Sequence, residues 1–595
     1  MSMSRPRLAL TPLAVGVSAL AIAACGGSSN SSSNNGGSNT TGSSGSSNAS
    51  GQGGFANVAP GQGKKGGTLK VQSAEGFEHL DPGQSYFQID YVAVYATQRP
   101  LLSFKPDNPE EAVPDLAASM PTVSADGKTV TVHIKPNVKF SPPVNRAVTS
   151  ADVKYAIERA FTPNVPSGYA AAYFGQIIGA PSAPKPNVKI SGIETPNKTT
   201  LIFKLKSAFG ATMVKAMSMP ITVPVPEEYA KKYDAHNPST YDSNPTVQAF
   251  TGPYMIKSYS SANGITLVRN PNWDSSTDFR PAYADKIVWK TGGDSTVVAR
   301  QTLAGTGTLM ADGPPADIVK QAYQTKRTQL AITPLGERYV ALNTTKKPFN
   351  NVNVRKAVSA VTDKVGMNLV RGGSLVGVPG THFLTPGQPG FQEAGGNNGF
   401  GFDYMKANND LALAQSYMKK AGYSSGKYNG PQVVLIGAAE DPGPKTTAIF
   451  ASGLKKLGFN VKQLNVPQAT MYSKFCGVPK NAPDVCTTVG WLPDFPDGYA
   501  NLWVPFNGTA ITQANNSNWP QLNNPQVNAA MSKASTVSDP TQRKQAWANV
   551  DKLITEQAPA VEWQWSKDPL VQGTGVHGVM AEWNADWDLA YSSVG

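Results

Sequence analysis

Residues that hold metals or attack carbonyls are scarce in this chain, which has five histidines and three cysteines among 595 residues. His79, His133, His236, His382 and His577 are far apart, and none stands beside another ligand at metal spacing, so no metal centre is expected. No His-Glu-x-x-His pair occurs. The Ser-x-x-Lys tetrads Ser416–Lys419 and Ser452–Lys455 fall on amphipathic helical patterns without a Ser-Asp-Asn element, and Lys290-Thr291-Gly292 precedes them where acyl-serine enzymes carry it after. No catalytic residue and no cofactor is therefore expected. Charged residues make up only 15 % of the chain, and the net charge of +12 is scattered among acidic groups rather than drawn into a stripe. That argues against a nucleic-acid surface and leaves ordinary solubility or attraction to an anionic envelope. No internal repeat is evident, which counts against an adhesive or structural surface protein, the second class considered.

The chain opens with Arg5 and Arg7 before a mainly apolar run, Leu8–Ala24, that ends in small residues. This is the pattern of an export signal. The run is shorter than the ~20 residues a bilayer requires, and it contains Pro12 and Gly16. Ile22-Ala23-Ala24-Cys25-Gly26 resembles a bacterial lipobox, which implies removal of residues 1–24 and diacylglycerol on the Cys25 thiol. Two acyl chains hold a protein stably at a membrane. Residues 25–66 are nearly all Gly, Ser, Asn, Thr and Gln and cannot bury enough apolar surface to fold, so they are expected to form a disordered stalk. The expected location is the outer face of the cytoplasmic membrane. With Cys25 taken by lipid, Cys476 and Cys486 are left as an even pair in an oxidising compartment, and a disulfide is expected between them.

Past residue 66, strand and helix patterns alternate. Val130, Val132 and Ile134 alternate with Thr129, Thr131 and His133, a half-buried strand that turns His133 to solvent. Thr149-Ser150-Ala151-Asp152 is a capping box opening a helix with Val153, Ile157 and Ala160 on one face. Leu411, Ala414, Met418 and Ala421 mark a helix closed by Gly422. The apolar strand from Val433, a helix bearing Phe450 and Leu454, and a strand from Val461 follow it. This β-α-β run suits a mainly parallel sheet. Asp539-Pro540 supplies a cap and first-turn proline for a helix presenting Trp547, Val550 and Ile554.

Ordered blocks carry a resemblance. They include Gly66-Gly67-Thr68-Leu69, Leu80-Asp81-Pro82, Pro114-Asp115-Leu116-Ala117, Val138-Lys139-Phe140 and Thr251-Gly252-Pro253-Tyr254. Leu342-Asn343-Thr344, Val354-Arg355-Lys356-Ala357 and Gly490-Trp491-Leu492-Pro493-Asp494-Phe495-Pro496-Asp497 follow in the second half. Their order is similar to that of the family 5 extracellular solute-binding proteins, the oligopeptide-, dipeptide- and nickel-binding group. Ser141-Pro142-Pro143-Val144 and the glycine-rich stretch 380–402 depart from the family pattern in loops. The resemblance implies an α/β, two-lobe periplasmic-binding-protein-like (type II) fold. Lobe 1 would span 67–337 with an inserted subdomain at about 105–245, lobe 2 would span 338–557, and 558–595 would return to lobe 1.

The implied role is that of a monomeric solute-binding component that hands its solute to the permease of an ABC importer. The solute would be a peptide, or alternatively a metal chelate, sugar or other small molecule. Asp494 matches the aspartate that accepts the ligand amino terminus in peptide-binding members; a turn cap between Pro493 and Pro496 is the other reading. Trp491 stands as cleft wall or core, Asp497 as loop support or second acceptor, and Tyr86 as cleft lining or surface packing.

Overall fold

The structure is a computed structural model that describes residues 63–105, 108–513, 516–578, 585 and 587–595. The expected signal, Cys25 and the stalk up to residue 62 lie outside the described residues.

Thr68–Ser73 buries Leu69, Val71 and Ser73 on one face and pairs in parallel with Lys286–Thr291 and Thr308–Met310. Gly264–Arg269 and Tyr254–Ser260 extend this sheet antiparallel as a hairpin, giving five strands. A separate four-stranded antiparallel sheet, Thr122–Val123, Thr129–His133, Thr200–Lys204 and Ile193–Asn197, falls within the 105–245 stretch. Its strand Thr129–His133 shows the expected alternation, with Val130 and Val132 fully buried and His133 exposed. The capping box forms: Asp152 accepts from the Thr149 backbone N–H at 2.7 Å at the start of the helix Ser150–Arg159.

In the second half, Val433–Ala438, the helix Gly443–Lys456 and Val461–Val466 make the expected parallel β-α-β unit. The sheet as a whole is mixed rather than mainly parallel. Leu330–Leu342 pairs antiparallel with both Val485–Trp491 and Ala560–Val571, because it runs against the β-α-β unit, to which Val485–Trp491 adds as a further parallel strand. At one end of the crossing, Leu330 and Val571 pack with Val298, Met310 and Ile318. At the other, Val340, Leu342 and Val561 pack with Val354, Leu435 and Phe450. Two long strands thus run from one apolar cluster to another, and we call them the hinge strands. The helix Pro540–Gln557, capped by Asp539 through Gln542 N–H at 2.8 Å, buries Trp547, Val550 and Ile554 as its pattern predicts. Among the described residues no helix is long and apolar enough to cross a membrane.

Candidate functional site

The block expected to carry the ligand contact leaves the end of the strand Val485–Trp491. In that strand Val485, Thr487, Val489 and Trp491 are buried while Thr488 and Gly490 are half-buried, the period of two that a pleated strand imposes. Trp491 therefore faces the interior, where its Nε1 donates to the Ala500 carbonyl at 3.1 Å. It is 6 % exposed there.

Asp494 follows in the loop and is only 4 % exposed. Its carboxylate accepts from the hydroxyls of Tyr173 and Tyr169. Among the described residues no basic side chain pairs with it. Burial pushes its carboxyl up to about 7, and the two tyrosine hydroxyls hold it from rising further. Tyr169 and Tyr173 lie one turn apart around the helical segment Ala170–Phe174, and their rings stack with centroids 5.7 Å apart. Tyr86 stacks in turn on Tyr169 at 5.4 Å and shares a hydrogen bond with Ser517 at 3.1 Å. Three tyrosines from the first half of the chain thus form a ladder ending on an aspartate from the second half. Tyr499 ties the same two segments together by donating to the Ala172 carbonyl at 2.7 Å.

Asp497 has a different fate. One oxygen accepts from Tyr499 N–H at 2.9 Å, capping the helix Gly498–Phe506, and the carboxylate as a whole takes a two-pronged bond from Arg543, 2.7 Å on each side. Burial alone would push its carboxyl up, but the Arg543 charge and hydrogen bonds hold it below the usual range. These bonds make Asp497 a support of the loop. Gly498 is required beside it, since a Cβ there would stand 2.4 Å from the Trp547 ring.

Cys476 and Cys486 are joined by the expected disulfide. It fastens the helical segment Met471–Cys476 to the strand that leads into the Asp494 loop. Tyr472 in that segment packs edge-on against Trp519 at 4.4 Å and against Phe87 at 6.2 Å, so the bond steadies a further aromatic contact between the two halves of the chain. Tyr169 and Tyr173 were not singled out by sequence; their spacing of four, which stacks side chains on one helical face, was the available signal. One Gly-x-Ser-x-Gly spacing does occur, Gly422–Gly426, but it lies in the loop between the helix Leu411–Lys420 and the strand Val433–Ala438, not on the strand-to-helix turn that exposes a nucleophile.

Residues 111–513 match the family described as bacterial extracellular solute-binding proteins, family 5 Middle. The chain belongs to that family. This family 5 binding protein is 25 % identical over 500 residues to the "Probable D,D-dipeptide-binding periplasmic protein DdpA" of Escherichia coli K12, covering 83 % of this chain and 87 % of the relative. It is also 25 % identical over 454 residues to the "Heme-binding protein A" of Haemophilus influenzae, covering 75 % and 77 %. Among solved structures, the "Clavulanic acid biosynthesis oligopeptide binding protein 2" superposes with a TM-score of 0.78 at 22 % identity, covering 92 % of this chain and 99 % of that one. The fold is thus the mixed α/β two-lobe fold of periplasmic binding proteins. The protein is the extracytoplasmic solute-binding component of an ABC importer, a binder rather than an enzyme.

Proposed function

We propose that this binding protein encloses a short peptide between its lobes, holds the peptide's ammonium group on Asp494, and delivers it to the membrane permease. The observation that carries the reading is a carboxylate buried to 4 % exposure at the meeting of the two halves of the chain, bonded among the described residues only to neutral hydroxyls. Burying a charge is unfavourable unless it is paired. An incoming ammonium supplies the missing partner through a charge-assisted hydrogen bond, stronger than a neutral one. Tyr86, Tyr169 and Tyr173 form the wall on which apolar parts of the solute would lie. Two of the relatives are named for peptides, which supports the same class. The haem-named relative favours a second reading, a non-peptide solute in the same place.

In this proposal lobe 1 is built from 67–337 and the return segment 558–595, lobe 2 from 338–557, and the whole is tethered to the outer face of the cytoplasmic membrane by lipid on Cys25. The deciding experiment is native mass spectrometry of freshly purified protein, followed by denaturation to release and sequence the retained solute. A peptide mass supports the proposal; a haem or other non-peptide mass replaces it with the second reading.

A further inference from the structure

The two hinge strands each turn a glutamate to the same face. Glu337 of Leu330–Leu342 stands opposite Trp565, and Tyr339, two residues on, stands opposite Glu562 of Ala560–Val571. Opposed residues share a face, as do residues two apart, so Glu337 and Glu562 are diagonal neighbours across the strand pair. They sit where the ladder is irregular, its register shifting between Pro334 and Glu337 and again between Arg338 and Tyr339. Both side chains are out of water, at 1 % and 0 % exposure. Their carboxyls come within hydrogen-bonding reach of each other. Apart from the Gln564 backbone N–H, which approaches Glu562, no donor from another residue meets their four oxygens among the described residues.

The surroundings offer little countercharge. Lys364, which opens the helix Lys364–Arg371, faces Glu562, but its Nζ donates to the carbonyls of Met405 at 2.5 Å and Tyr404 at 3.4 Å. Burial pushes that amine down to about 7, so it loses its charge near neutral pH. Asp551, on the helix Pro540–Gln557, adds a negative charge and is committed elsewhere, to His382 Nδ1 at 2.7 Å and to the N–H groups of Phe383 and Leu384 at 3.0 Å each. The Tyr339 hydroxyl beside the pair is buried without a partner among the described residues. The glycine-rich stretch 380–402 closes the remaining side. A Cβ at Gly380 would stand 2.6 Å from Glu562 Cγ and 2.8 Å from its Oε1, and Trp565 Nε1 fastens the stretch by donating to the His382 carbonyl at 3.0 Å. Burial pushes both carboxyls well above the ordinary range, and for Glu337 the charges of Glu562 and Asp551 add to it.

We infer that Glu337 and Glu562 share a proton that latches the hinge strands together, and that its loss as pH rises drives the strands apart, loosens the lobes and releases the solute. Only the last step rests on the enclosure of a solute between the lobes. With the proton in place, one carboxyl donates to the other and the two titrate as a unit. Without it, two like charges face each other out of reach of water, where the ladder is already interrupted. Carboxyls raised on folding favour the native state fully below about 4.3, the ordinary glutamate value, and that contribution is lost as pH rises through their folded values.

The test compares full-length wild type, E562Q and E337Q/E562Q from weakly acidic to alkaline pH. Glutamine keeps the shape, and in E562Q its amide can donate to Glu337 in place of the proton. Difference infrared spectroscopy with isotope-labelled glutamate should reveal in wild type a protonated carboxyl at neutral pH that ionises in alkali and is missing from the double variant. Over that same titration the solute-free wild type should lose melting temperature and gain radius of gyration in small-angle scattering relative to both variants. Affinity for the recovered solute should fall at least about tenfold further in wild type than in the double variant, a peptide amine's own titration being common to both. No such protonated carboxyl in wild type overturns the inference. So does a pair that titrates without expansion or loss of affinity, or an E562Q that expands as wild type does. Expansion that follows the titration while no solute binds under any condition supports the latch and fails the enclosure reading separately.

Discussion

Asp494→Asn tests the proposed ammonium site through pH as well as affinity. In the empty protein its carboxyl is pushed up to about 7, against about 3.9 in an unfolded chain. Three units correspond to about 4 kcal/mol by which burial disfavours the charged form. A bound ammonium requires that charge, so wild-type affinity should fall about tenfold per pH unit below 7, reaching about 100-fold at pH 5. Above about 8 the peptide amine deprotonates and affinity falls again. Asp494→Asn should weaken binding at pH 7.5 by about 2 to 5 kcal/mol, roughly 30-fold to several-thousand-fold, and abolish the acid limb. Tyr173→Phe removes a hydroxyl that holds the carboxyl down, so its limb should move to higher pH. Stability without ligand should follow the same group in the opposite sense. A carboxyl raised on folding favours the native state fully below about 3.9 and loses that contribution as pH rises through about 7. Emptied Asp494→Asn should therefore gain stability relative to wild type between pH 4 and 7. The assay is calorimetry with the recovered peptide from pH 5 to 9, in two buffers of different ionisation enthalpy to count the proton released. A wild-type affinity that stays flat from pH 5 to 7, or an acid limb that survives in the asparagine variant, would refute the reasoning.

Cys25→Ser should move the protein from the membrane fraction to the medium without altering solute affinity, as fractionation and calorimetry of the released form would reveal. Replacing both Cys476 and Cys486 by serine should cost about 2 to 3 kcal/mol of unfolding free energy, the chain-entropy value for a loop of this size. Thiol titration of the denatured, unreduced wild type should detect no free thiol from this pair. Arg543→Met leaves the buried Asp497 charge unpaired and should cost about 3 to 5 kcal/mol in denaturant unfolding. Its acid limb in the peptide titration should stay where wild type has it, since the proposed site holds the ammonium on Asp494.

Much of the fold was legible because its signals are local. The Thr149–Asp152 capping box, the alternation through Thr129–His133 and the Asp539-Pro540 helix start each depend on residues within a turn or two of one another. The antiparallel course of the hinge strands was not legible, since Leu330–Leu342 takes its partners from residues more than 140 positions away. The site divides in the same way. Asp494 could be picked out by its block, but its partner Tyr173 lies 321 residues distant, and no local pattern joins a tyrosine pair to a loop aspartate. The loop-supporting role of Asp497 could be expected from its Asp-Gly step, but its partner Arg543 comes 46 residues later and is announced by no local pattern.

The face that Trp491 takes follows from strand parity. In a strand, Val489 and Trp491 share one face and Thr488 and Gly490 the other. The same parity sets Arg338 opposite Gly490. Beside the hinge strands a charged side chain thus lies over a glycine, while the stacked tyrosines come from a different part of the chain. In the proposed site, a change of solute would require only single residues of one parity on a few strands and leave the fold intact.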